Sequence, residues 1–456
     1  MFLEKIKSEG LSHLSYILGD KGLAAVIDPR RDCRVYIEQA SRNGCRITHI
    51  FETHRNEDYI IGSVELAALT GASIFHGAEL DFSYGQVADE GDIFELGDII
   101  LKIIKTPGHT FESISLALYD RNYGDEAIGV FTGDALFIGD TGRTDFFPEQ
   151  LEKMAGLLYD SLFTKILPLG EQTIIYPAHG SGSVCGSAIA AREFSTLGYE
   201  QRNNPLLLLK NREEFIKAKI SEKHSKPPYF TKMEEYNLTG PPALGCYLPL
   251  RPMSAADFED EISMGMQALD VRSAQAFAGV HIPKSISIPL DMVPVYAGWF
   301  LSYRDSIGLV TDSLEDLETA YRYLSRIGYD RITGYLHGGL REWEVQGKLF
   351  QSVPAVHAGN IQERISKKVS FTLLDVRTEQ EFKKGHLPGA MHVFLGDIEN
   401  RLDEISSLQP VTTFCGSGQR AIIAASILKK HGIEDVENCF GSIQACSRGI
   451  CEIVSS

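Results

Sequence analysis

Two stretches of this 456-residue chain are copies of one another, and no other feature limits its possible architectures as strongly. ALDVRSAQAFAGVHIPKSISIPL, starting at Ala268, aligns without a gap on LLDVRTEQEFKKGHLPGAMHVFL, starting at Leu373. Asp270 and Arg272 fall on Asp375 and Arg377, and His281-Ile-Pro falls on His386-Leu-Pro. A period of about a hundred residues is too long for a solenoid repeat and suits two small duplicated domains. Both copies continue as strand, helix, strand and glycine. In the first, GLV from Gly308 leads into TDSLEDLETAYRYLSRIGY, where apolar spacing predicts a helix stopped at Gly328. In the second, VTTF leads into CGSGQRAIIAASILKKHG.

The copies differ where chemistry is expected. Cys415 ends an apolar strand and is followed by Gly416, Ser417, Gly418 and Gln419; Arg420 then opens a helix that runs to Lys429, Lys430 and Gly432. Glycines let such a loop curl with its N–H groups inward, and a helix N-terminus adds positive potential, which favours a thiolate nucleophile. This segment resembles the rhodanese (sulfurtransferase) family, whose active loop is a six-residue cradle beginning with cysteine. The DVR and GHLPGA stretches at 375–377 and 385–390 match that family too. The resemblance implies α/β domains with mainly parallel sheets. It also implies that Cys415 accepts a sulfane sulfur as a persulfide, with Gly416, Ser417, Gly418 and Gln419 lining the substrate site and Arg420 at its end. Cysteine phosphatases place five residues between cysteine and arginine; four stand here, which disfavours that chemistry. In the first copy the equivalent loop is Thr311-Asp-Ser-Leu-Glu-Asp, acidic and without a thiol, which reads as a structural or docking copy.

The length allows about three domains of roughly 150 residues. Ser221 to Pro242 mixes charge, proline and glycine and reads as a linker, and a second break is expected near Gln351 to Gly359. The expected domains are 1–245, 246–352 and 353–456. A net charge of −17 argues against nucleic-acid and anionic-membrane partners. No apolar run reaches the ~18 residues of a membrane span, and the N-terminus lacks the pattern of a signal peptide, so a cytoplasmic protein is expected. The eight cysteines show no paired spacing and read as reduced thiols. Symmetric homodimers or homotetramers are the expected assemblies.

In the first domain, four apolar runs each end on a metal-capable side chain: His54 after ITHIFET, His109 after IILKIIKTPG, Asp134 after AIGVFTG and His179 after TIIYPA. Strand ends on one edge converge, so residues distant in sequence can share an ion. The pattern resembles the metallo-β-lactamase superfamily through THRNEDY, TPGHT, TGDALF and PAHG, which implies an αββα sandwich with metal at one edge. Hydrolytic members carry HxHxDH after the first of these strands and hold two metals. Here Asn56 and Tyr59 replace the second and third histidines, leaving His54, His109 and Asp134. Two imidazoles and one carboxylate are the facial set of mononuclear non-haem Fe(II) enzymes.

Persulfide dioxygenases, within the same superfamily, use these motif positions to oxidise a thiol persulfide with O2 to sulfite. TGDALFIGDTGRTDF resembles theirs, which implies Fe(II), or Zn as the alternative, on His54, His109 and Asp134. It further implies Arg143 as a catalytic or substrate-orienting group, with Asp58 and His179 near the pocket but not ligands. Cys185, six residues beyond His179, could hold a persulfide or simply pack as a small apolar side chain. The domain order resembles bacterial fusions of a persulfide dioxygenase with two rhodanese modules, with sulfite and thiosulfate as products. A one-zinc thioester hydrolase of the glyoxalase II kind and a sulfur-carrier scaffold are the alternatives.

Overall fold

The computed structural model describes residues 1–183, 185–186, 188–245, 250–406 and 410–455. Two compact units are present, Met1–Tyr247 with Ser325–Gly328, and Leu248–Leu324 with Tyr329–Ser456.

The first unit contains two sheets. Strands β1 (Phe2–Ser8), β2 (His13–Asp20), β3 (Leu23–Ile27), β4 (Arg46–Phe51), β5 (Ser73–His76) and β6 (Gln86–Val87) lie in sequence order. The second sheet runs β11-β10-β9-β8-β7, from β7 (Ile93–Leu96), β8 (Ile99–Lys105), β9 (Ile114–Asp120), β10 (Gly129–Gly133) and β11 (Ile174–Pro177). Between β2 and β3, Lys21 and Gly22 have φ of 48° and 84°, the paired left-handed residues of a tight hairpin whose twist matches its strands. Alternation along each strand builds the layers. In β4, Phe51 joins Leu18, Leu101, Leu116 and Phe131 between the sheets. Its neighbour Ile50 instead packs with Val26, Tyr36 and Leu66 against the helices Arg34–Arg42 and Ser63–Thr70. In β10, Phe131 faces inward while Val130 packs with Leu158, Leu162 and Phe215 of the helical layer beyond. The result is the expected αββα sandwich.

Ser221 to Pro242, which reads as a linker by composition, is part of this unit. It carries the helix Phe230–Thr239, and Phe230, Met233 and Asn237 are buried. The charged residues responsible for the linker-like composition lie largely on its outer face, among them Lys232 and Glu235, which pair with each other.

The second unit holds two sheets of one topology. The strands β12 (Arg251–Met253), β13 (Gln267–Asp270), β14 (Ile286–Ser287), β15 (Ile307–Val310) and β16 (Ile332–Leu336) run in the order β12-β16-β15-β13-β14. Those of the second copy, β17 (Ala355–His357), β18 (Thr372–Asp375), β19 (Met391–His392), β20 (Val411–Phe414) and β21 (Val436–Phe440), run β17-β21-β20-β18-β19, the same permutation. Every pairing in both is parallel. The repeated Asp–Arg pair is a clasp. The Arg272 Nε and Nη2 donate to Asp270 at 2.9 and 2.6 Å and Nη2 reaches the Val280 carbonyl at 2.8 Å. Arg377 makes the same bonds to Asp375 and to the Gly385 carbonyl at 2.9, 2.6 and 2.8 Å. Each ties a buried strand end to the loop before the next strand, so the motif serves the fold in both copies.

Cys446 and Cys451 form a disulfide, which corrects the expectation of reduced thiols for these two; the chain turns back through Ser447–Ile450 and brings them together. Cys33, Cys45, Cys185, Cys415 and Cys439 are free. Among the described residues no helix is long and apolar enough to cross a membrane.

Candidate functional site

His54 lies three residues beyond β4 of the first sheet, whereas His109, Asp134 and His179 follow β8, β10 and β11 of the second. The four therefore meet at one end of the sandwich from both sheets. His54 Nε2 is 3.7 Å and His109 Nε2 3.5 Å from Asp134 Oδ2, and all three residues are at most 2% exposed. One donor atom from each lies within 4.8 Å of the other two. Those spacings are too long for hydrogen bonds, and His109 Nε2 and Asp134 Oδ2 are buried without a partner. They are close to the separation of about 3.0–3.5 Å between ligands bonded at ~2.1 Å to one ion, so this set fits a metal.

The ring orientations are fixed from behind. Thr53 Oγ1 donates to Asp28 Oδ2 at 2.7 Å and so accepts from His54 Nδ1 at 2.9 Å. His109 Nδ1 donates to the Arg143 carbonyl at 2.9 Å. Both Nε2 lone pairs are thereby turned to the centre. Burial lowers the His54 pKa to about 3 despite the nearby Asp134. At His109 burial also opposes charge, but Glu57, Asp134 and the Arg143 carbonyl outweigh it and raise the value. Two glycines permit the close approach. A side chain at Gly142 would stand 1.8 Å from the Asp134 carbonyl oxygen, and one at Gly133, where φ is +52°, would stand 2.6 Å from Thr53 Oγ1.

His179 does not share the first set. Its Nδ1 bonds Asp134 Oδ1 at 2.7 Å, holding the carboxylate so that Oδ2 faces the two other imidazoles. Its Nε2 faces Asp58 Oδ2 at 3.1 Å. Asp58, His179 and Cys185 form a second buried group of donors. Burial raises the Cys185 thiol pKa well above its ordinary value, and Asp58, Asp134 and Glu57 add to this. Arg143 is 1% exposed; its guanidinium is paired with Asp145 at 2.6 and 2.7 Å and lies over the Phe146 ring, so the atom that meets His109 is its backbone carbonyl. Asn56 Nδ2 turns back to the His54 carbonyl at 3.2 Å, and the Tyr59 ring lies on His13 with centroids 3.9 Å apart.

Two contributors escaped the sequence analysis. Glu57 Oε2 stands 3.6 Å from His109 Nε2 and has no hydrogen-bond partner. Asn237, in the linker-like stretch, donates to the Asn56 and Tyr59 carbonyls at 2.6 and 2.7 Å and accepts from Ile61 N at 2.9 Å. The loop that carries His54 is pinned by it. Glu57 was visible only as a residue of the loop after His54; Asn237 gave no signal.

The Cys415 loop follows β20 directly. Gly418 N donates to Cys415 Sγ at 3.1 Å, and Gly418 has φ of +106° as the helix Gln419–Lys430 begins. From behind, Ser442 Oγ accepts from Cys415 N at 3.1 Å, while Gly441, Ile443 and Gln444 donate to the carbonyls of Ser417, Cys415 and Gly416. Arg420 bonds Glu381 through both Nη atoms at 2.7 Å, which puts it at the rim, and a side chain at Gly416 would come within 3.2 Å of it. Tyr296, from the helix Val293–Phe300 of the first copy, stands close enough to Arg420 to interact with it electrostatically. In the first copy Thr311 Oγ1 and Ser313 satisfy each other, and the equivalent loop closes on itself.

Residues 9–179 match the metallo-β-lactamase superfamily, and residues 254–346 and 358–448 match the rhodanese-like domain. The chain is 32% identical over 225 residues to persulfide dioxygenase ETHE1 of Mus musculus, covering 47% of this chain and 78% of that protein. It is 28% identical over 215 residues to hydroxyacylglutathione hydrolase GloC of Haemophilus influenzae, covering 42% of this chain and 91% of the relative. A crystal structure of a metallo-β-lactamase from Staphylococcus aureus is 32% identical with a TM-score of 0.66, covering 74% of this chain and 98% of that one. With two rhodanese-like domains fused behind its first fold, the chain belongs to the metallo-β-lactamase superfamily, among the homologues of persulfide dioxygenase ETHE1.

Proposed function

We propose that the first domain oxidises a low-molecular-weight thiol persulfide with O2 and that Cys415 transfers sulfane sulfur. The balanced reactions are RSSH + O2 + H2O giving RSH, sulfite and two protons, then transfer of the outer sulfur of a Cys415 persulfide to sulfite, giving thiosulfate and the free thiolate. The observation that carries this reading is the buried set His54, His109 and Asp134, with unpartnered His109 Nε2 and Asp134 Oδ2, in a chain where Asn56 and Tyr59 offer no further imidazole. Mononuclear Fe(II) held by these three would supply O2 activation and an anchor for sulfur. The protein's part is to keep the Nδ1 protons of His54 and His109 on Thr53 and the Arg143 carbonyl, and to hold Asp134 Oδ1 on His179. Phe146, edge-on to His109 at 5.1 Å, helps exclude water. Cys185 is assigned as a thiol beside the centre able to hold sulfur in transit, and Arg420 with Gly416 to Gln419 as the anion-binding rim of the Cys415 loop. Residues 1–245 would carry the oxidation, 353–456 the transfer, and 246–352 would be the thiol-free partner module.

Oxygen uptake by the Fe(II)-loaded protein with glutathione persulfide tests the reading. The parent consumes O2 and releases sulfite or thiosulfate, whereas His109→Ala and Asp134→Ala consume none yet retain sulfur transfer from thiosulfate. Cys415→Ser shows the reverse pattern. The similarity to GloC favours one other reading, a zinc thioester hydrolase. Thioester cleavage without O2, and no uptake with several persulfides, would replace the first reading with that one.

A further inference from the structure

The Cys415 loop is backed by a short segment that runs into the Cys446–Cys451 disulfide. Gly441, Ile443 and Gln444 donate to the carbonyls of Ser417, Cys415 and Gly416 at 2.9, 3.1 and 3.1 Å. Between them Ser442 Oγ accepts from Cys415 N at 3.1 Å and donates to the Cys439 carbonyl at 2.6 Å. We propose that the disulfide is a latch on this backing segment, opened by low-molecular-weight thiols, and that opening it slows sulfur transfer. The inference rests on Cys415 as the sulfur-transfer nucleophile.

The segment's own structure is weak. Its helix, Ser442–Ala445, is a single turn, too short to persist alone. Ser442 has φ of +38°, a left-handed conformation that a residue with a side chain keeps only where its surroundings enforce it. Beyond the turn, Cys446 is buried with Ile361, Leu387, Phe414 and Cys439, whereas Ser447 to Ile450 are exposed and Cys451 is half-buried. The disulfide thus ties an exposed span to the core, and with it open that span frays together with the donors that precede it. The first copy makes the same turn without sulfur. Gly338 and Gly339 have φ of +75° and +62° where Gly441 and Ser442 have +77° and +38°, and Trp343, four residues on, stands where Cys446 does. Trp343 is buried and its Nε1 donates to the Leu349 carbonyl at 2.8 Å, a closure that thiols leave intact. Of the two copies, the one with the reactive cysteine closes its turn with a reducible bond. Exchange starts at Cys451, the less buried sulfur. A thiolate RS− bonds to it and expels the Cys446 thiolate; a second RS− attacks the sulfur of the attached R group, releasing the Cys451 thiolate and RSSR. Two RSH thereby give two electrons and two protons to the cysteines. RSH is also the thiol released by the proposed oxidation, so its accumulation would slow the transfer step that follows.

The test compares two forms of the full-length protein, one oxidised with diamide and one reduced with dithiothreitol, each freed of reagent by gel filtration. Mass spectrometry of alkylated peptides establishes that Cys446 and Cys451 are bonded in the first and both thiols in the second, with Cys415 free in each. In the reduced form, transfer of sulfur from thiosulfate to cyanide falls roughly tenfold, the scale of a slightly misplaced reacting group. The backbone amides of Gly441 to Gln444 exchange hydrogen faster, while far-ultraviolet circular dichroism is unchanged. Diamide restores the oxidised values, and Cys451→Ser shows the reduced ones whether or not diamide is added. Equal transfer rates in the two forms, or failure of diamide to join Cys446 to Cys451, overturn the latch. Absence of transfer in both forms refutes Cys415 as the nucleophile instead, and the hydrogen-exchange rates then decide for or against the latch.

Discussion

Asn237 holds the loop that delivers His54 through three hydrogen bonds to the backbone of Asn56, Tyr59 and Ile61, all in a buried setting. Replacing it with alanine leaves two carbonyls and one N–H without partners. At about 1 kcal/mol or more for each buried orphan, Asn237→Ala should lose about 3 kcal/mol of stability in urea unfolding. It should also weaken metal binding to the first set, whereas the exposed neighbour Glu235→Ala should do neither. Unchanged stability would show that water or a shifted side chain replaces the amide. The contrast with His54, His109 and Asp134 explains what the sequence disclosed. Those three stand just past apolar strands, so periodicity locates the strand and the strand locates the residue. Asn237 and Glu57 sit in polar stretches with no such frame, and the Asp28–Thr53 bond that turns His54 joins residues just beyond the ends of two different strands.

At the scale of the element, the two copies share a clasp and differ in a cradle. The register that pairs Asp270 with Val310 and Asp375 with Phe414 makes Thr311 the counterpart of Cys415, and Asp316 that of Arg420. The first copy has thus exchanged both thiol and guanidinium, and Ala276 stands where the second has Glu381. Glu381 closes the capping box of the helix Glu379–Lys384 with Thr378 and also holds Arg420. The sequence analysis did not single out Glu381, and its contact with Arg420 crosses between separate segments. The pair sets a pH dependence. Burial opposes charge on Glu381, but the Arg420 and Thr378 hydrogen bonds outweigh it and bring the pKa from 4.5 to about 2. A folded value below the unfolded one gives stability that is full above about pH 4.5 and is lost as pH falls toward 2. In acid titrations, Glu381→Gln should therefore differ from the parent by a constant amount above pH 5 and converge with it near pH 2. A gap that widens on acidification would refute the pairing as the source of that stability.

The whole chain joins a metallo-β-lactamase domain to two rhodanese-like domains. The duplication was legible from the repeat itself, and the parallel sheets and the sandwich from motifs that resemble known families, which is why the architecture was readable. The packed helix at Phe230–Thr239 and the Cys446–Cys451 bond were hidden, because composition and spacing carry no information about which surfaces meet. On the proposed chemistry, the covalent link has a kinetic consequence. Sulfite formed in residues 1–245 encounters its own chain's Cys415 persulfide at an effective concentration set by the tether, on the order of millimolar for short flexible links. An equimolar mixture of Asp134→Ala and Cys415→Ser chains contains both activities without that link. At nanomolar enzyme and limiting persulfide, the parent should give a higher ratio of thiosulfate to sulfite than the mixture, normalised to active sites. Raising the enzyme concentration should close the gap, because bulk encounters then compete with tethered ones. Equal ratios at every concentration would mean that sulfite equilibrates with solution before transfer, and that the fusion ensures equal amounts of the two activities without coupling them.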